Sequence, residues 1–207
     1  MKYTFFILFF ALVFSAKAQS IVERKIAIDH IEQLHLKVDE VFGVYISTNP
    51  KINELKIKSY SEGEYAQNIG FNFTEENKTL TIQTVFPEIL TSGYDKLSAH
   101  KVFAVRLEIE IPKHKSVIVQ SDLASVYGNG NYTYFEAELK SGRCELHQFS
   151  GKALVNTFKG DIEVGTLEEK ITAFSTHGTV KMEPTFKKGN KISLKSIDGD
   201  INVRHEE

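Results

Sequence analysis

Residues 155–164 decide the fold, and they read Val155-Asn-Thr-Phe-Lys-Gly160-Asp-Ile-Glu-Val164. The pattern returns as AFSTHGTVKM at positions 173–182 and as LKSIDGDINV at positions 194–203, with Gly178 and Gly199 in place of Gly160. A copy with a shorter turn covers positions 139–146, and a degenerate copy begins at position 119. Self-similarity at a nearly fixed period is typical of proteins built from stacked units.

Each unit contains two short stretches of alternating apolar and polar residues around its glycine. Such alternation places the apolar side chains on one face of a strand. A unit of this length cannot bury that face alone, so neighbouring units must stack, and equivalent residues then form ladders about 4.8 Å apart. The predicted inner ladders are Cys144, Ile162, Val180, Ile201 and Leu146, Val164, Met182, Val203, with a hydroxyl ladder of Ser121, Ser141, Thr157, Ser175 and Ser196 beside the turn.

The repeat therefore predicts an all-β, single-stranded β-solenoid, similar to a parallel β-helix, with short two-strand coils of about 18–21 residues, the separations of Gly160, Gly178 and Gly199. A sandwich of antiparallel hairpins is the alternative, because it also consists of short alternating strands. The recurrence of the same residue types at the same distance from glycine favours the solenoid.

The N-terminal half is less regular, and we interpret it as wider coils with hairpins. The predicted strands lie around residues 34–38, 44–46, 55–57 and 102–111, with a hairpin over residues 71–82. Residues 88–100 (EILTSGYDKLSAH) form a polar connection, for which an ordinary surface loop is the favoured interpretation over a binding loop. The charged tail Arg204–Glu207 is expected to cap the exposed edge of the last coil.

Residues 1–18 have the pattern of a cleavable signal peptide. Lys2 precedes an unbroken apolar run, Phe5 to Phe14, and the small-x-small site ends at Ala18, so cleavage is expected between Ala18 and Gln19. A helical run of this length spans about 15 Å, half of a bilayer core, so no stable membrane insertion of the mature chain is expected. The predicted location is the periplasm, the outer surface or the medium.

Residues 19–207 are predicted to form one domain, irregular over residues 19–115 and regular over residues 116–207. Cys144 is the only cysteine, so an intramolecular disulfide is excluded and packing must supply the stability.

Without Lys2 and Lys17, 23 of the 25 basic residues remain against 27 acidic ones, a formal charge of −4. This balance argues against a nucleic-acid partner, which would require a basic surface.

Asp161 and Asp200 are the strongest candidate catalytic pair. They occupy the same position two coils apart, so their backbones are expected to lie about 9.6 Å from each other, with Thr179 between them. Inverting glycosidases separate their carboxyl groups by about 6.5 to 9.5 Å. However, Arg143 is expected to stack beside Asp161 and hold it ionised, which opposes the raised pKa of a general acid. No catalytic residue is therefore assigned.

Lys159, His177 and Asp198 precede equivalent glycines and are expected to line one edge as a solvated charged ladder. A histidine beside a carboxylate can act as a base, but Cys144 is expected to point inward and no serine is placed to act as a nucleophile. The seven histidines show no metal-binding spacing. No metal site and no cofactor are predicted.

Several motifs outside the repeat accompany it along almost the whole chain. They are Ile31-x-x-Leu34-x-Leu36, Phe42-Gly43-Val44-Tyr45-Ile46, Leu80-Thr81-Ile82 and Leu107-x-Ile109-x-Ile111-Pro112, followed by Gly160-Asp-Ile-Glu-Val164 and Gly199-Asp-Ile-Asn-Val203. Together with the signal peptide, they resemble the bacterial auto-transporter adhesin family with a head GIN domain and related exported domains of unknown function. The resemblance implies a β-solenoid in a bacterial envelope or outside the cell, and it supplies no catalytic residues.

Three functions follow as hypotheses. The first is a non-enzymatic, adhesin-like interaction protein that binds a glycan, a cell-surface component or another copy of itself. The second is a polysaccharide hydrolase or lyase. The third is a structural envelope component that assembles end to end through its strand edges.

Overall fold

The computed structural model describes residues 19–63, 70–85, 103–167, 169–183 and 189–206. The predicted signal peptide, residues 1–18, and the predicted loop at residues 88–100 lie outside these ranges.

The described residues form one sheet of 15 strands. The strands are β1 (Gln19–Ala27), β2 (Gln33–Lys37), β3 (Gly43–Thr48), β4 (Glu54–Gly63), β5 (Gly70–Glu76), β6 (Thr79–Val85), β7 (Phe103–Ile111), β8 (Ser116–Ser121), β9 (Ser125–Ser141), β10 (Cys144–Lys159), β11 (Ile162–Thr166), β12 (Lys170–Ser175), β13 (Val180–Met182), β14 (Lys191–Asp198) and β15 (Ile201–His205). The prediction of an all-β protein is confirmed.

The sheet has two arms that share the long strands β9 and β10. The first arm runs in the order β1-β4-β7-β3-β9-β10-β11-β15-β13, and the second in the order β5-β6-β2-β8-β9-β10-β14-β12. The N-terminal part of β9 pairs with β3 in the first arm, and its C-terminal part pairs with β8 in the second. The inward-facing aliphatic and aromatic residues of both arms belong to one hydrophobic core.

In-register parallel ladders cross the first arm, as the repeat predicts. Cys144 pairs with Val126 on one side and with Ile162 on the other, and Ile162 continues to Ile201. All four side chains have no accessible surface. The equal spacing of Val126, Cys144 and Ile162 along the chain is thus the length of one pass through both arms.

The order of the last two units is different from the predicted one. β15 lies between β11 and β13, and β14 lies between β10 and β12, so the last unit is inserted before the one that precedes it in the chain. The inner face of the inserted unit consists of the branched aliphatic residues Ile192, Leu194, Ile201 and Val203, all at most 1% exposed. The displaced unit forms the open end, where Val180 and Met182 are 42% and 46% exposed.

The hydroxyl ladder is also corrected at one position. Ser121 pairs with Leu139, Leu139 with Thr157, Thr157 with Ser196 and Ser196 with Ser175. Ser141 instead aligns with Lys159, because the shorter turn of its unit shifts the alignment along the strand. Leu139 fills the place that was predicted for Ser141.

The predicted strands of the N-terminal half are confirmed as β2, β3, β4 and β7, and the predicted hairpin as β5 and β6. The hairpin turns at Asn77 and Lys78, both with positive φ, the combination that a two-residue turn of the favoured twist requires. The predicted capping of the last edge by the tail is wrong. β15 is an interior strand of the first arm, and Arg204 instead reaches Glu163 and Glu206, at 3.6 and 3.7 Å.

Candidate functional site

Asp161 and Asp200, the candidate carboxylate pair to which no catalytic role was assigned, lie directly before adjacent strands, because β15 is inserted beside β11. The prediction that Thr179 lies between them is wrong. The amide of Asp200 donates to Oδ1 of Asp161 at 2.8 Å, and the amide of Thr179 donates to Oδ1 of Asp200 at 2.7 Å. Each carboxylate therefore accepts a backbone hydrogen bond from the turn before the neighbouring strand and stabilises that turn. The hydrogen bonds from Thr179 lower the pKa of Asp200, which is opposite to what a general acid requires.

Arg143 does lie beside Asp161 along the strand ladder, because the amide of Cys144 donates to the carbonyl of Asp161 at 3.0 Å. Its guanidinium, however, pairs with Glu145, near the start of β10, at 3.3 Å. The predicted ion pair between Arg143 and Asp161 is thus replaced by one with Glu145. The turn of this unit carries structural contacts and no acid–base pair.

Lys159, Asp198 and His177 lie side by side, as predicted. Lys159 aligns with Asp198, whose Oδ1 is 2.5 Å from Nδ1 of His177. The neighbouring hydroxyl of Ser175 accepts the amide of Gly178 at 2.9 Å and donates to the carbonyl of Gly199 at 2.7 Å, so it closes its own turn and joins it to the turn of the neighbouring unit. Cys144 is fully buried, as predicted, and burial raises the pKa of its thiol. Neither group is placed to act as the nucleophile that the histidine would activate.

Because the carboxylate of Asp200 accepts a hydrogen bond from the turn at Thr179, its contribution to the stability of the fold depends on pH. Its pKa lies below the ordinary value of 3.8, so the ionised carboxylate stabilises the fold above that pH, and this contribution is lost as the pH falls through the folded-state pKa. Asp200→Asn is expected to lower the unfolding free energy at neutral pH and to differ less from wild type at about pH 2.5. Urea denaturation at both pH values, with the exposed Asp29→Asn as the control, checks this. A difference that does not change with pH would contradict it.

A long groove crosses the outer face of the second arm. It has a volume of about 830 Å³, and its lining runs from Gln83 on β6 to Phe174 on β12. These positions span seven neighbouring strands, or about 29 Å at the usual strand spacing. A groove of this length fits an extended chain better than a small molecule.

Three exposed apolar side chains mark one end of this surface, which we call the Phe groove. Phe158 is 49% exposed, Phe174 63% and Ile197 40%. Phe174 aligns with Lys195 on β14, and Lys195 aligns with Asn156 on β10. An amide and an ammonium group thus lie between two phenylalanine rings whose Cα atoms are separated by about 12 Å, from the strand spacing and rise.

The middle of the Phe groove is polar, and its charges are engaged with one another. Lys140 pairs with Asp122 at 3.1 Å, and the amide of Gln120 donates to Glu138 at 2.9 Å. The apolar end, at Phe158, Phe174 and Ile197, is therefore the part of the groove whose exposed side chains are available to contact a ligand. It was not found from the repeat because Phe158 and Phe174 occupy its variable positions. The sequence does contain one signal for this surface: Phe158 and Phe174 are apolar residues at positions where the alternation of their strands predicts a side chain that faces outward.

A second groove, of about 570 Å³, lies on the outer face of the first arm. Its two tyrosine rings already contact each other, because Tyr45 stacks on Tyr127 with the ring centroids 4.5 Å apart and the ring planes at 7°. Its charges are paired as well, with Lys56 bound to Glu110 at 3.0 Å. A ligand would have to displace these contacts, so the Phe groove is the stronger candidate.

Across the described ranges, no group of three or more His, Cys, Asp or Glu side chains could hold a metal ion. In the same part of the chain, no helix is long and apolar enough to cross a bilayer.

No protein-family model matches the chain, and no curated protein matches it. Solved structures do match. A "putative cell adhesion protein" from Clostridium sporogenes superposes with a TM-score of 0.67 at 16% identity, covering 91% of this chain and 100% of that one. The likeness shows the fold. A "putative adhesin" from Bacteroides fragilis covers 89% of this chain and 97% of that one at 12% identity, with a TM-score of 0.41.

Proposed function

We propose that this protein is an exported, non-enzymatic, adhesin-like interaction protein that binds an extended glycan along the Phe groove. The observation that carries the proposal is the pair of exposed phenylalanines, Phe158 and Phe174, beside Asn156 and Lys195. The apolar face of a sugar ring packs against an aromatic ring, and its hydroxyl groups bond to amide and ammonium groups.

The proposed export rests on the signal-peptide pattern of residues 1–18. The proposed adhesin role has further support from the resemblance to the head GIN domain family and from the fold shared with the Clostridium sporogenes protein. Against an enzyme stands the use of Asp161 and Asp200 as acceptors for backbone amides.

We also infer that the two arms are the faces of a β-solenoid. β9 and β10 each pass from the first arm to the second, and β10 lies in register on β9 in both parts. Each pass is then one coil, stacked on the coil before it. A crystal structure in which the arms do not enclose a common core would contradict this inference.

Replacing both Phe158 and Phe174 with alanine is expected to weaken glycan binding by at least about tenfold, or about 1.4 kcal/mol. The measurement is a glycan array of the purified protein followed by calorimetry with the best ligand. Phe42→Ala is the matched control, because Phe42 is 74% exposed and does not line the groove.

A reducing-sugar assay on the same glycans separates binding from cleavage. Release of sugar would overturn the non-enzymatic assignment. Absence of any glycan binding, with sedimentation that depends on concentration, would instead favour end-to-end assembly through the open edge at Val180 and Met182. Equal binding by the double variant and wild type would place the ligand outside the Phe groove.

A further inference from the structure

A row of three lysines lies on the same outer face as the Phe groove. Lys170 on β12 pairs with Lys191 on β14. The next residue, Ile192, pairs with Ala153, which places Lys152 on β10 directly opposite Lys191. All three side chains are exposed. The three ammonium groups therefore extend from three adjacent strands, whose backbones are about 4.8 Å apart.

This lysine row is an unfavourable arrangement for the protein alone. Like charges directly opposite each other on neighbouring strands destabilise a sheet. Their spacing is shorter than the Debye length of about 8 Å at physiological ionic strength, so salt screens the repulsion only in part. Lys191 has a lysine on each side. A neutral side chain at this position would remove both repulsive contacts.

Among the described residues, no carboxylate forms an ion pair with the lysine row. Within the second arm, the outward positions of β10, β14 and β12 contain Lys195 as a fourth cation and no acidic residue. Glu136 and Glu138, on the far side of β10, bond to Tyr134 and Gln120. A local basic surface thus exists on a chain whose formal net charge is −2.

One buried carboxylate lies beneath the row. Glu169 is 3% exposed, and its carboxylate accepts the amide of Gly151, at 3.1 Å, and that of Asn190. Gly151, Glu169 and Asn190 directly precede the three lysines, so these bonds fix the starts of β12 and β14 relative to the middle of β10. Glu169 therefore aligns the lysine row, while its own oxygen atoms are engaged with the backbone.

The row is continuous with the Phe groove. Lys170 and Phe174 lie on one strand, as do Lys191 and Lys195, and the separation along the strand is about 13 Å in each case. Between them lie Leu154, Ser193 and Thr172, which are uncharged. The lysine row and Phe174 are thus the two sides of a strip about 13 Å wide, and a polymer lying across β10, β14 and β12 on this strip would have lysines on one side and Phe174 on the other.

We propose that Lys152, Lys170 and Lys191 bind the carboxylate or sulfate groups of an acidic polysaccharide whose sugar rings pack in the Phe groove. This inference rests on the proposed function and specifies its ligand class. An anionic ligand relieves the repulsion within the row, and the three paired strands present the cations in the regular array that a repeating polymer requires.

The test uses the purified protein with polygalacturonate and with the same polymer after reduction of its carboxyl groups, so that the two probes differ in charge. Lys170→Gln/Lys191→Gln is expected to weaken binding of polygalacturonate at least tenfold. The matched control is Lys51→Gln/Lys181→Gln, which removes the same charge from exposed positions away from the row, and it is expected to bind as wild type does.

A stability measurement without ligand separates a binding role from a structural one. If the lysines bind a ligand and do not stabilise the fold, the midpoint of urea unfolding of Lys191→Gln is equal to or higher than that of wild type. If they exist to compensate the charge of Glu169, the variant has a lower midpoint, which would overturn the proposal.

The remaining outcomes are distinguishable. Binding of both polymers through Phe158 and Phe174, unaffected by the lysine changes, overturns the lysine inference and leaves the proposed function intact. Binding of neither polymer overturns the lysine inference, while the glycan array decides the proposed function separately. Vesicles of phosphatidylglycerol and duplex DNA are tested in parallel, and a preference for either over polygalacturonate overturns the assignment to an acidic polysaccharide.

Discussion

Replacing Gly160 with alanine is expected to lower the free energy of unfolding by at least about 3 kcal/mol, in the range of severe single substitutions. Gly160 has a φ of +151°, which L side chains rarely adopt, and a Cβ atom there would lie 1.9 Å from the carbonyl oxygen of Gly142. That oxygen belongs to the backbone of the preceding turn, between β9 and β10, so it cannot move without shifting those two strands.

The turn at Gly160 also connects three neighbouring strands, which is why the expected effect is large. Its carbonyl accepts the hydroxyl groups of Thr157, at 2.8 Å, and Ser196, at 3.2 Å. Its amide donates to the carbonyl of Asp198 at 3.2 Å. Displacing this residue would therefore disturb the strands on both sides of it.

Gly70→Ala is the matched control for Gly160→Ala. A Cβ atom at Gly70 would meet no other atom within 4 Å, and Gly70 has no positive φ. Urea denaturation of both variants should show a large loss for Gly160→Ala and a change within about 0.5 kcal/mol for Gly70→Ala. Equal and small effects would mean that the turns can separate, and the stacked arrangement of β10 and β11 would then be wrong.

The repeat predicted the register of the stacked strands because it rests on a local rule. Alternation fixes which side chains face inward, and the distance from glycine fixes which residues of two units align. Cys144, Ile162 and Ile201 therefore lie in one ladder, as predicted. Ser141 departs from its predicted ladder because its turn is shorter than the others, so the distance from glycine no longer gives the alignment.

The order of the units was not predictable from that rule. Any unit of the repeat can pair with any other, so chain order was the only guide, and it placed β13 before β15. The structure instead buries the unit with the larger aliphatic residues, Ile192, Leu194, Ile201 and Val203. Hydrophobic burial thus outweighs sequence proximity, since each such side chain contributes about 1.5 to 3 kcal/mol when it is fully buried.

The candidate site residues show the same difference between the register of the units, which was predictable, and their order, which was not. Lys159, His177 and Asp198 were correctly placed together because their equivalence to one another does not depend on unit order. The separation of Asp161 and Asp200 did depend on it, and it was wrong. The outward phenylalanines could have been noticed in the sequence, but the position of Lys195 on a strand between theirs requires the inserted order.

Replacing Phe135 with alanine is expected to destabilise the fold by about 3 to 5 kcal/mol, the usual cost of truncating a buried phenylalanine. Phe135 has no accessible surface and lies in an aromatic cluster with Tyr132 and Phe149, at centroid distances of 5.2 and 6.1 Å. Its ring also approaches to 3.4 Å the position that a Cβ of Gly128 would occupy. It therefore fills the gap that this glycine leaves in an inner ladder.

Phe174→Ala provides the comparison, because it removes the same ring from a side chain that is 63% exposed. If Phe135 is a core residue and Phe174 a binding residue, the first change lowers the unfolding free energy, while the second changes it by less than about 0.5 kcal/mol and weakens glycan binding. Loss of stability in both variants would mean that Phe174 is covered in solution. The apolar end of the Phe groove would then be a packing surface, and the proposed binding site would have to be abandoned.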